Sequence, residues 1–165
     1  MAASASLPVH IRSAIAAALF VALGGGVSAA AGGPFTELAG SWTGAGRIET
    51  TSGTESIRCR ARYDVTASGE SMQQTLVCAS ASYRFQVDSR VDNLGGRISG
   101  SWNDPDRGIS GALTGTARPG RVDGTIAASA FSASLSVVTR GATQDVSIRT
   151  REHQIREVSV RLQKR

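Results

Sequence analysis

IRCRARYDVTASGESMQQTLVCAS, residues 57–80, decides the fold. Read with period two, one face of its first half carries Ile57, Cys59, Ala61, Tyr63 and Val65. The other face carries Arg58, Arg60, Arg62 and Asp64. That alternation marks a half-buried strand. Ala67-Ser68-Gly69-Glu70 is a turn, because Gly69 takes a positive φ at no steric cost. The return strand sets Met72, Gln74, Leu76 and Cys78 on one face. Folding the hairpin about Ser68-Gly69 brings residue 65 opposite 72, 61 opposite 76 and 59 opposite 78. The two cysteines of the chain then meet across the ladder, on its apolar side.

Outward from this hairpin, short alternating segments follow one another between turn signals. Residues 41–49 place Trp42, Gly44, Gly46 and Ile48 on one face. Residues 83–91 turn Tyr83, Phe85, Val87 and Val91 inward, and Asp92-Asn93-Leu94-Gly95-Gly96 reads as the next turn. Residues 97–103 carry Ile98, Gly100 and Trp102, and 109–116 carry Ile109, Gly111 and Leu113. Arg118-Pro119-Gly120-Arg121 fits a type II turn, with proline and glycine at its two centres. Residues 121–129, 131–138, 143–150 and 155–162 continue the pattern. Apolar spacing of three and four is missing after residue 31, so the reading is all-β. About ten strands joined by short turns predict a single antiparallel up-and-down meander. Closing it into a barrel removes the exposed edges of an open sheet. A two-sheet β-sandwich is the alternative.

The chain has 165 residues, 41% of them hydrophobic and 19% charged, which suits one globular domain. The net charge of +5 comes almost entirely from arginines dispersed among carboxylates, with Lys164 the one lysine. A solvated surface, and no nucleic-acid partner, is the expectation. Residues 1–31 read as a secretory signal peptide, with Arg12 before an apolar run from Ala14 to Leu23. Small residues at Val27-Ser28-Ala29 and Ala29-Ala30-Ala31 offer cleavage sites. The run is too short to span a membrane. The expected domain is therefore 32–165, periplasmic or secreted, and not membrane-spanning after cleavage. Outside the cytosol a Cys59–Cys78 disulfide persists.

GSWTGAGRI at 40–48, GRISGSW at 96–102, GISGALTG at 108–115 and GRVDGTI at 120–126 form a loose internal echo. Each sets glycine between large inward residues. Glycine serves where a curved strand leaves no room for a side chain, and it also leaves space for a ligand. Both uses stay open from the sequence.

Leu38-Ala39-Gly40-Ser41-Trp42 carries two resemblances. Its G-x-W resembles the calycin superfamily of lipocalins. That resemblance implies a calycin-like barrel closed at one end by Trp42, with an arginine of the last strand, Arg156 or Arg161, packed over the indole. The LAGxW start with one disulfide is similar to bacterial periplasmic inhibitors of secreted metalloproteases, although this chain has more strands. That likeness implies a protein-interaction barrel acting through an N-terminal arm, Ala30 to Glu37. More broadly, CASxSYxF at 78–85 and GGxISGSW at 95–102 resemble small exported bacterial β-barrel proteins of unassigned function.

Catalytic groups are sparse. His10 falls in the signal, which leaves His153 among the charges of TREHQ. The sequence holds no G-x-S-x-G elbow, HExxH pair or phosphate-binding glycine loop. Asn103-Asp104-Pro105-Asp106-Arg107-Gly108 is read as a turn rather than a calcium loop, which needs more oxygen ligands. No metal and no cofactor are expected. The expected function is a non-enzymatic binding module. Its ligand would be small and apolar, held within the barrel beside Trp42, Tyr83, Phe85 and Trp102. A protein-interaction barrel such as a protease inhibitor, or a structural envelope protein without ligand, are the alternatives.

Overall fold

The computed structural model describes residues 32–150 and 154–165. The signal reading of residues 1–31 and the position of His153 lie outside the described residues. Ten strands follow a short 3-10 turn, Thr36–Leu38. They are β1 (Gly40–Thr50), β2 (Gly53–Val65), β3 (Ser71–Ala79), β4 (Arg84–Leu94) and β5 (Arg97–Asp104). The chain continues with β6 (Ile109–Arg118), β7 (Arg121–Ala128), β8 (Ser132–Arg140), β9 (Thr143–Thr150) and β10 (Ile155–Lys164). Each pairs antiparallel with its neighbour in sequence, and β1 pairs with β10, which closes the barrel. The meander is therefore a closed barrel and not a sandwich. Closure gives every described strand a paired neighbour on both sides.

The register of the deciding hairpin is the one its pattern dictates. Val65 faces Met72, Ala61 faces Leu76, and Cys59 faces Cys78. The two cysteines form a disulfide. Gly69 supplies the turn with φ of 73°. One boundary differs from the sequence reading. Asp92, Asn93 and Leu94 were expected in a turn, yet they continue the ladder opposite Ser99, Ile98 and Arg97. Gly95 and Gly96 make the whole connection, both at positive φ (59° and 87°). Such a two-residue link matches the twist of the strands it joins.

Successive turns alternate between the two ends of the barrel. The first end gathers the turns at 66–70, 95–96, 119–120 and 141–142, together with the segment 33–38. The second end gathers the turns at 51–52, 80–83, 105–108 and 129–131. The segment 33–38 is held by backbone bonds from Gly33 N to Ser68 O and Phe35 N to Gly69 O. Phe35 is 0% exposed and Leu38 is also buried, so this segment plugs the first end. The core continues through Trp42, Ile48, Ile57, Val91 and Leu162.

The inward glycines mark close backbone approach. A Cβ on Gly44 would lie 1.9 Å from the carbonyl oxygen of Arg161 on the neighbouring strand. At that position the curved wall itself requires glycine.

Candidate ligand site

The sequence proposed four aromatic residues for an interior site. The barrel separates them. Trp42 belongs to the plugged end: it is fully buried, and its Nε1 donates to Leu38 O at 2.7 Å. Lys164, not Arg156 or Arg161, lies over the indole, 5.4 Å from the ring centroid. Its Nζ also donates to Glu37 O at 3.2 Å. Arg161 faces outward, where period two places it, and pairs with Asp145 at 2.7 Å. Arg156 is exposed.

Tyr83, Phe85 and Trp102 gather toward the second end. Tyr83 ends the β3–β4 turn, which is tied by its N–H to Ser80 Oγ at 3.0 Å. Phe85 opens β4 opposite Cys78. Trp102 sits two residues before the end of β5, its ring 5.9 Å from that of Phe131 and tilted by 47°. Arg107 closes one side of this group. Its guanidinium lies 5.9 Å over Phe85 and donates to Asp104 Oδ2 at 2.9 Å, while its backbone N–H donates to Asp104 Oδ1. Asp104 is 5% exposed. In the sequence, residues 103–108 read only as a turn. The signal was available: Ile98, Gly100 and Trp102 point inward, and the same step of two reaches Asp104.

Burial is uneven around the interior. Leu76, Phe85, Ile126, Leu135, Val137, Val146 and Ile148 belong to the inward set, packed against the core yet only partly buried. A barrel filled to its axis would bury them as completely as Ile48 and Ile57. Solvent therefore reaches apolar side chains on β3, β4 and β7–β9.

A polar chain crosses the interior nearer the plugged end. Ser89 Oγ donates to Gln74 Oε1 at 3.1 Å, and Gln74 Nε2 donates to the Tyr63 hydroxyl at 3.4 Å. Tyr63 donates to Gln144 Oε1 at 2.9 Å, and Gln144 Nε2 donates to Thr139 Oγ1 at 3.3 Å. Every donor points the same way, an arrangement in which each bond polarises the next. Burial raises the Tyr63 hydroxyl above its ordinary value, and the bond to Gln144 opposes this only in part.

The outer wall carries ion pairs. Arg121 with Asp123 and Arg149 with Glu157 lower both carboxylates, chiefly through their hydrogen bonds. Two grooves lie outside the interior. One of about 530 Å³ runs beside Gly33, Asn93, Gly95 and Pro119 at the plugged end. The other, about 680 Å³, crosses the ion-paired faces of β8–β10 and β1. Among the described residues no three His, Cys, Asp or Glu side chains are grouped to hold a metal ion. No helix among them is long and apolar enough to cross a membrane.

No protein-family model and no curated protein matches the chain. Among solved structures it is similar to Rv2717c from M. tuberculosis, with a TM-score of 0.62 and 13% identity. The match covers 79% of this chain and 94% of that one. The likeness is one of fold. It makes the chain a ten-strand antiparallel barrel with a structural neighbour among small bacterial proteins.

Proposed function

We propose that the protein is an exported, non-enzymatic binding module that takes a small apolar ligand into the second end of the barrel, beside Tyr83, Phe85 and Trp102. The observation that carries this reading is the half-buried inward set. Leu135, Val137, Val146 and Ile148 are apolar, face the interior and still meet solvent. Covering such surface is what a small-molecule site does. Export is supported by the signal-like residues 1–31 and by the disulfide, which an oxidising compartment preserves. The inhibitor reading has less support, because Gly33 and Phe35 of its supposed arm, Ala30 to Glu37, are docked into the barrel end.

Native mass spectrometry of the exported protein should find a carried small molecule. The purified protein should also bind the dye 1-anilinonaphthalene-8-sulfonate saturably. Phe85→Ala should weaken that dye by about tenfold, the value of one buried phenyl ring. Absence of both a carried molecule and saturable dye binding defeats the proposal, as does a Phe85→Ala protein that binds like the wild type.

A further inference from the structure

The two tryptophans differ in one respect that bears on ligand chemistry. Trp42 Nε1 is bonded to Leu38 O. Trp102 is 9% exposed, and its Nε1 is buried with no hydrogen-bond partner. The ladder explains why. The cross-strand neighbours of Trp102 are Ser89 and Gly111. Ser89 turns its hydroxyl to Gln74. Gly111 has no side chain, and a Cβ there would come within 2.9 Å of Trp102 Nε1. The indole N–H thus lies against a glycine, at the end of the barrel where aromatic and aliphatic surfaces remain part-exposed. A buried donor without an acceptor is costly, and an incoming acceptor recovers that cost.

We propose that Trp102 Nε1 is the polar anchor of the barrel site, and that its ligand class is a compact apolar molecule carrying one hydrogen-bond acceptor, a carbonyl or ether oxygen. This rests on the binding reading above and adds the chemistry of the ligand. The oxygen takes the indole N–H over Gly111. The hydrocarbon body covers the inward side chains of β8 and β9. Charge plays no part in the anchor, since the nearby Arg107 is engaged with Asp104.

The test uses two probes, 2-nonanone with a carbonyl and butylbenzene without an acceptor, each measured by displacement of the bound dye. The wild type should prefer the ketone. Trp102→Phe keeps an aromatic ring and removes the donor. It should weaken 2-nonanone by about fivefold, the value of one neutral hydrogen bond, and butylbenzene by less than about twofold. Indole ¹⁵N–¹H resonances give a second readout. The Trp102 signal should move on adding 2-nonanone, while the Trp42 signal, already bonded within the protein, stays in place. Equal weakening of both probes, or an unmoved Trp102 signal in the ketone-saturated protein, overturns the anchor and leaves the binding reading standing. Failure of both probes to displace the dye or bind overturns both.

Discussion

Tyr63 shows how one residue can belong to both core and network. Its ring lies among apolar side chains of β2, while its hydroxyl accepts from Gln74 and donates to Gln144. Tyr63→Phe leaves the buried Gln144 Oε1 and the part-buried Gln74 Nε2 with one bond fewer, and should cost about 1–3 kcal/mol at neutral pH. The hydroxyl's folded value is raised by burial above the ordinary 10.0. Its contribution is therefore full below the unfolded value of 10.0 and is lost as pH rises from there through the raised folded value, because the unfolded chain releases the proton first. Urea unfolding at about pH 9 and about pH 11 should show the gap between wild type and Tyr63→Phe narrowing by about 1 kcal/mol. Parallel curves would show that the hydroxyl ionises alike in both states. The alternation of residues 57–65 made Tyr63 legible as inward. Its partner was not, because Gln144 stands on β9 and only closure brings β9 across from β2. Lys164 was hidden for another reason. The resemblance implies an arginine, whereas the strand's last residues, where β10 meets the plug, place the Lys164 ammonium over Trp42.

Among elements, the β2–β3 hairpin was the most readable. Two alternating faces, a glycine at the turn and two cysteines equidistant from it leave one register that buries the apolar set. The boundary of β4 was less readable, because Asp and Asn favour turns. Pairing to β5 overrides that preference, since Gly95-Gly96 already suffices for the link. The same hairpin carries the covalent staple, and its worth can be stated from the chain alone. Cys59 and Cys78 are 19 residues apart, and closing a loop of that size in the unfolded chain is worth about 3 kcal/mol. The double variant Cys59→Ala/Cys78→Ala should lose about that much in urea unfolding, and reduction of the wild type should give a similar loss. The variant should keep the far-ultraviolet spectrum of the barrel, because ten closed ladders remain. A loss of all β signal would mean that the disulfide specifies the fold rather than stabilising it.

The whole molecule is a barrel with unlike ends, and this asymmetry follows from where each aromatic residue lies along its strand. Trp42, two residues into β1, stands at the plugged end and shares one buried cluster with Phe35 and Leu38. Phe85 and Trp102 lie toward the opposite turns, where Phe131 and Arg107 form the rim. Small barrels are either filled by their side chains or hold one small ligand, and a packed end beside a part-exposed apolar wall suits the second arrangement. The plug and the wall should therefore separate under mutation. Phe35 is 0% exposed, so Phe35→Ala removes a filled ring and should cost about 3–4 kcal/mol in urea unfolding. The loss should be local in its dynamics. The backbone amides of Gly33 and Phe35, bonded to Ser68 and Gly69, should exchange faster with solvent deuterium, as should the Trp42 indole N–H bonded to Leu38. Affinity for the dye at the far end should change by less than about twofold, because the plug and the rim sit on turns at opposite ends of the meander. If Phe35→Ala weakened dye binding as much as Phe85→Ala, the two ends would be one cooperative unit, and the plug would be part of the site.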